Sequence, residues 1–344
     1  MRIGMIAPIW ETVPPSGYGG VERIVDLLVR YLTVRGHQVT LFATGDSRCP
    51  VECSWTEPQA LRNLGFDTLS CHLSEAQHLT NAFRRRREFD LFHNHMGPLG
   101  ISFAEVSGAP TLSTLHGPLL PDNVGHFKTY QDHPFVSISY AQQRGCPELN
   151  YVGNVYNGIE TSEYRLREKE GYLLFLGRIS PEKGTHLAIE AAQRSGYPLI
   201  MAGKVDPYDR QYYETIIAPL IDGEQVRFIG EVGGEVKHRL IAGAIALLHL
   251  VQWPEPFGLV MAEALASGTP VIAMPDGSIP EILTHGETGF IVESVDSAAE
   301  AISQLSAIDP RRCREEAVKR FDASQMVSGY EALYEQLCSH PVSP

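Results

Sequence analysis

The stretch Tyr172-Leu173-Leu174-Phe175-Leu176-Gly177-Arg178-Ile179-Ser180-Pro181-Glu182-Lys183-Gly184 passes from a short apolar run, through a glycine, to Ser180-Pro181. An apolar run of that length closed by glycine reads as a buried strand. Ser180 suits an N-cap and Pro181 a first helical residue, so a helix is predicted over Lys183–Arg194. A strand feeding a helix is half of a βαβ unit, the building block of parallel sheets. The same alternation continues downstream, with strands predicted near Leu199–Ala202, Val226–Ile229, Ala246–Leu250 and Pro270–Ala273, and helices near Tyr208–Pro219 and Leu259–Ala266.

The first half shows the pattern independently. Strands are predicted near Arg2–Ala7, Gln38–Ala43, Leu91–Asn94, Thr111–Leu115 and Phe135–Ser139, with a helix over Gly20–Arg35 whose Ile24, Leu27, Leu28 and Tyr31 share a face. Asn157–Gly171, rich in charge and without apolar period, marks the boundary. The fold class is α/β: two Rossmann-like, doubly wound parallel-sheet domains, expected to face a central cleft because such sheets bind ligands at their strands' carboxyl ends. The expected division is 1–160, 161–322 and a terminal 323–344, whose helix Ala323–Leu337 should pack back toward the first domain.

Composition narrows the function. The 344 residues hold two cores, and 43% hydrophobic with 20% charged residues excludes disordered, collagen-like and coiled-coil chains. Twenty-eight Lys plus Arg against 41 Asp plus Glu leave a net charge of −13, which excludes nucleic acid bound on a generally basic surface. No apolar run spans a bilayer, and Met1–Ile9 reads as a first strand rather than a secretory signal, so a cytoplasmic protein is expected. Arg84–Arg87 is the one dense basic run; it reads either as peripheral contact with an anionic leaflet or as a solvated helix end. The six cysteines contain no Cys-x2-Cys pair, and neither they nor His93 and His95 bring a full ligand set, so no metal is expected.

Three stretches carry chemistry. Arg178 and Lys183 beside a helix start oppose its dipole, an arrangement that makes sense around an anion such as a diphosphate; the alternative is a pair of solvated charges with Glu182. In Trp253-Pro254-Glu255-Pro256-Phe257-Gly258-Leu259 the prolines hold Glu255 extended, and Glu263 is expected in the first turn of the following helix. Ionised carboxylates only accept hydrogen bonds, which suits the paired hydroxyls of a ribose or a hexose; for Glu263 the alternative is plain complementarity to the dipole. The loop Glu11–Glu22 places Gly19 and Gly20 where backbone N–H groups can approach a phosphate, the alternative being a flexible surface loop, and Glu22 stands where the dinucleotide fingerprint needs glycine. His95 and His116 close strands and so point toward the ligand side of the sheet, although either one alone reads more readily as a satisfied structural histidine.

Together and in this order, these stretches resemble the retaining glycosyltransferases of family 4 with the GT-B fold, over essentially the whole chain. The likeness rests on Gly19-Gly20 with Glu22-Arg23, Gly177-Arg178 with Lys183-Gly184, the Glu-x7-Glu pair Glu255 and Glu263, and Asn157-Gly158-Ile159 at the end of the first domain. The resemblance implies that Arg178 and Lys183 hold the diphosphate of a nucleotide sugar, Glu263 its ribose, and Glu255 the donor hexose within Phe257-Gly258-Leu259. It also implies that Gly19 and Gly20 approach the diphosphate, His116 stands beside the reacting sugar, and the base lies against backbone near Ile229. The expected reaction moves a hexose from UDP-glucose, a related UDP-hexose, or a GDP- or ADP-sugar to a carbohydrate or lipid-linked hydroxyl acceptor, in envelope polysaccharide or glycolipid synthesis. No cofactor is required, because cations and N–H groups can meet the leaving charge and the chain contains no Asp-x-Asp. Two other classes fit less well: a nicotinamide-dependent oxidoreductase fails at Glu22, and a periplasmic-type binding protein would need an export signal.

Overall fold

The computed structural model describes residues 1–17, 19–65 and 67–339. The chain forms two units, Met1–Gly158 with the terminal helix Ala323–Ser339, and Ile159–Asp322. In the first, strands β1 (Arg2–Ile6), β2 (Gln38–Phe42), β3 (Glu52–Ser54), β4 (Leu91–Asn94), β5 (Thr111–Thr114), β6 (Phe135–Ser137) and β7 (Tyr151–Asn154) make a parallel sheet of order β3-β2-β1-β4-β5-β6-β7. In the second, β8 (Leu173–Leu176), β9 (Leu199–Ala202), β10 (Val226–Phe228), β11 (Ala246–His249), β12 (Val271–Ala273) and β13 (Gly289–Ile291) run parallel in the order β10-β9-β8-β11-β12-β13. Each sheet winds outward from its first strand, then reverses. The crevice where the order reverses, between β1 and β4 and between β8 and β11, is where such sheets bind ligands.

Burial explains the elements. The helix Gly20–Val34 buries Ile24, Val25, Leu27, Leu28, Val29 and Leu32. On the sheet's other flank Phe42, Phe83, Phe89 and Phe92 form an aromatic cluster, with the Phe83 and Phe92 rings 4.9 Å apart, beneath the helix Thr68–Arg84. The terminal helix belongs to this core: Tyr330 and Tyr334 are wholly buried, and Glu331 accepts from Arg35 and pairs with His37 at 2.9 Å.

The structure departs from expectation in informative places. Strands β3, β7 and β13 escape prediction because Glu52-Cys53-Ser54, Tyr151–Asn154 and Gly289–Ile291 lack an apolar run. The helix expected over Tyr208–Pro219 is a succession of a 3-10 turn, a single α turn, a π turn and a second 3-10 turn that contains Pro219, whose ring offers no N–H to a regular helix. Ser180 caps nothing with its side chain: Pro181–Lys183 is a 3-10 turn, and the α-helix starts at Thr185 behind Gly184. From Ile159 on, the boundary segment is built into the second unit, where Ile159 N–H donates to Phe321 O at 2.8 Å and the Arg314 guanidinium donates to the carbonyls of Tyr164 and Ala266. Of the basic run, Arg85 is tied to Glu88 and Glu52 and lies over the Phe42 and Phe89 rings. Among the described residues no helix is long and apolar enough to cross a membrane.

Candidate active site

Within the second unit, the loops after β8 and β11 leave the sheet on either side of its reversal point and are tied together, Gln252 N–H donating to Glu182 O at 2.8 Å. Between them Gly184 adopts φ 68°, and a Cβ there would lie 1.8 Å from Leu250 O, so only glycine allows the loops to approach this closely. That approach brings Lys183 to Glu255: Lys183 Nζ donates to Glu255 Oε2 at 2.5 Å and sits 4.4 Å from the centre of the Trp253 ring. Trp253 Nε1 donates to the same oxygen at 3.0 Å. Behind the carboxylate, His249 Nε2 stands 3.8 Å away, buried and without a hydrogen-bond partner.

Burial pushes the Glu255 carboxyl up, but the Lys183 ammonium, His249 and the two donated hydrogen bonds outweigh it and hold the acid below its ordinary value. Burial lowers His249 to about 4, against the pull of the Glu255 carboxylate. The backbone of Glu255 is pinned as well: its carbonyl accepts from Ser278 N–H at 2.9 Å, and Gly277 passes so close that a Cβ would lie 2.2 Å from that oxygen. The result is a fixed carboxylate and a cation in contact at the carboxyl ends of two strands.

The other expected residues of this unit make separate contacts. Arg178 lies in the loop after β8, bonded to Glu182 and 3.6 Å from Asp209 Oδ2. Gly258, at φ 75°, precedes the helix Leu259–Ala266, and Leu259 opens it, so their amides lie at its N-terminus. Phe257 turns its ring into the core, edge-on to Phe321 at 5.6 Å. Glu263 is not in the first turn of its helix but in the second, buried and accepting from Lys237 Nζ at 2.5 Å. Ile229 follows β10, half exposed, its N–H donating to Met201 O at 3.0 Å.

In the first unit, Gly19 has φ 155°, Gly20 opens the helix Gly20–Val34, and a Cβ on Gly19 would press on Pro15 at 2.6 Å. Beside it Glu22 is buried and its carboxyl is pushed up to about 7, first by burial and then by Glu11, against its own backbone N–H. His116 follows β5, and its Nε2 shares a 2.8 Å hydrogen bond with His95 Nδ1; burial lowers it to about 4. His93 is structural, bonded to Tyr334 Oη and Thr114 Oγ1 at 2.7 Å each. Among the described residues no group of three His, Cys, Asp or Glu side chains could hold a metal.

The sequence reading missed Lys237, Trp253 and His249 as members of these clusters. Trp253 stood in the quoted motif, two residues before Glu255. Lys237 lies in Glu235-Val236-Lys237-His238-Arg239, which reads as a solvated helix face.

Comparison with known proteins agrees with this architecture. The profile of "Glycosyl transferases group 1" matches residues 159–320, and that of "Glycosyltransferase Family 4" matches residues 18–146. The phosphatidyl-myo-inositol mannosyltransferase of Mycobacterium leprae is 25% identical, with 98% of each chain covered. The glycogen synthase of Mycobacterium tuberculosis is 26% identical over 90% of this chain and 86% of that one. Among solved structures, AviGT4, a glycosyltransferase involved in avilamycin A biosynthesis, superposes with a TM-score of 0.75 at 26% identity, 98% of each chain being covered. HepE of Anabaena, solved with UDP and glucose, gives 0.74 at 22% identity over 99% of this chain and 100% of that one. Two parallel-sheet units that match GT-B structures along their length define a GT-B glycosyltransferase. The chain belongs to the family 4 glycosyltransferases.

Proposed function

We propose that this glycosyltransferase moves a hexose from a UDP-sugar, UDP-glucose first, to a hydroxyl acceptor on a carbohydrate or lipid-linked glycan, with retained anomeric configuration and without a metal. The observation that carries this reading is the Lys183–Glu255 contact at the reversal point of the second sheet, with Arg178 in the same loop as Lys183. A cation for phosphate and an acceptor-only carboxylate for sugar hydroxyls then stand side by side. As the bond from the anomeric carbon to the diphosphate breaks, its electron pair goes to the phosphate oxygen, and Lys183 and Arg178 meet that charge. Glu263, oriented by Lys237, takes the ribose hydroxyls, and the amides of Gly258 and Leu259 face the phosphates. Phe257 contributes packing, Ile229 backbone beside the base, and Gly19, Gly20 and His116 keep the roles that the family resemblance implies. Support for uridine as the base comes from HepE, solved with UDP-glucose.

Thermal stability with UDP, GDP, ADP and NAD tests the reading, since a ligand bound only by the folded state raises its stability. UDP should stabilise and NAD should not; stabilisation by NAD alone would return the oxidoreductase. Lys183→Ala and Arg178→Ala should each weaken UDP binding about tenfold to a hundredfold, as each removes a charge-assisted hydrogen bond. Calorimetry measures this, and unchanged dissociation constants in both folded variants would reduce the pair to surface charges. Turnover should persist in excess chelator. A loss that Mg²⁺ or Mn²⁺ restores would refute metal independence.

A further inference from the structure

A cavity of about 620 Å³ opens on the second unit away from the Lys183–Glu255 pair. Arg165 and Arg167 line it from the segment that follows Ile159, and Glu235, His238 and Arg239 line it from the helix Gly234–Gly243, with Ala242 buried beneath. Residues 235, 238, 239 and 242 are spaced to form one helix face. Among the described residues none of the three guanidiniums has a carboxylate within 4.0 Å. The acids nearby are Glu163, 3.9 Å from His238 Nε2, and Glu235. Burial and then Glu170 push the nearby Tyr172 phenol up to about 12, against Arg227, Arg167 and Arg239.

Three guanidiniums without partners around one cavity favour a phosphate group, whose oxygens match their planar fork. The carboxylates among them accept from hydroxyls and reject a bare polyanion. The volume lies in the range of small-molecule sites. We propose that this cavity binds a phosphorylated monosaccharide, phosphate toward Arg165, Arg167 and Arg239 and hydroxyls toward Glu163 and Glu235. The site does not depend on the donor assignment. Its occupant would brace the helix whose other side presents Lys237 to Glu263.

Calorimetric titration of the full chain with glucose 1-phosphate, glucose 6-phosphate, mannose 6-phosphate, glucose and inorganic phosphate tests this. At least one sugar phosphate should bind, about tenfold tighter than inorganic phosphate, and glucose should give no heat. Arg165→Ala with Arg239→Ala should weaken that binding about tenfold or more, while Lys183→Ala leaves it unchanged. Glu235→Gln should narrow the preference for the sugar phosphate over inorganic phosphate. No heat from any sugar phosphate, equal affinity for inorganic phosphate, or a loss confined to Lys183→Ala would each overturn the proposal; the last would place the ligand at the donor residues. UDP binding serves as the fold control for the Arg165, Arg239 and Glu235 variants, and circular dichroism with the thermal midpoint for Lys183→Ala.

Discussion

Lys183 and Glu255 lie 72 residues apart in sequence and share one 2.5 Å hydrogen bond. Each is the other's counter-charge, so on the proposed assignment an arriving diphosphate would compete with the carboxylate for the ammonium. Replacing Glu255→Gln removes the competing charge and keeps the shape. Free UDP should therefore bind tighter, by about twofold to tenfold, while transfer slows because a neutral amide accepts more weakly from the sugar hydroxyls. Calorimetry and turnover of one variant read both effects; weaker UDP binding would contradict the competition. The folded carboxyl is held below its ordinary value, so its ionic contribution is complete above about pH 4.5 and is lost only as pH falls through the folded value. The tightening should thus be the same at about pH 6 and about pH 8. At this scale the sequence named Glu255, Lys183, Arg178 and Glu263, and Glu182 beside Arg178, but not Lys237, Trp253 or His249 as their partners. Lys237 and His249 become visible only when a second element buries them, since no local pattern distinguishes a lysine that reaches a buried carboxylate from one in water.

Elements with a strong apolar run were legible, from β1 to β12, because burial on both faces of a parallel strand writes itself into consecutive residues. Of the four edge strands β10 was legible and β3, β7 and β13 were not. β3 and β13 are three residues each and owe their existence to a paired neighbour. The most consequential misreading is the turn at Ser180–Gly184, where Ser-Pro imitates a helix start and Gly184 postpones it. That delay is what carries Lys183 toward Glu255. Gly184→Ala should accordingly destabilise the protein by more than about 2 kcal/mol, through both a left-handed backbone unfavourable to alanine and contact with Leu250 O. The denaturant midpoint measures it. A variant as stable as its parent would mean that the turn can relax without cost.

Over the whole molecule, acid should not act evenly. Burial lowers the pKa of His78, His93, His95, His116 and His133 in the first unit, but only of His249 and, partly buried, His186 in the second. An unfolded histidine gains its proton below about pH 6.5, whereas His78, His116 and His133 in the folded chain gain theirs only at about 4. Stability is then complete above about 6.5 and falls with pH across that window, at up to about 1.4 kcal/mol per unit for each group. Glu22 and Glu75, raised by burial, act in the opposite sense but are fewer. Hydrogen exchange at about pH 5 should show Met1–Gly158 opening before Ile159–Asp322; the reverse order would refute the histidine account. The division itself reaches into biosynthesis. The second unit is an insertion in the first, which needs Tyr330 and Tyr334 of the last helix for its core. A ribosome therefore delivers every residue of Ile159–Asp322 before it delivers the helix that completes Met1–Gly158, and the earlier-made half waits on the nascent chain with His93 still lacking its tyrosine while the later-made half closes.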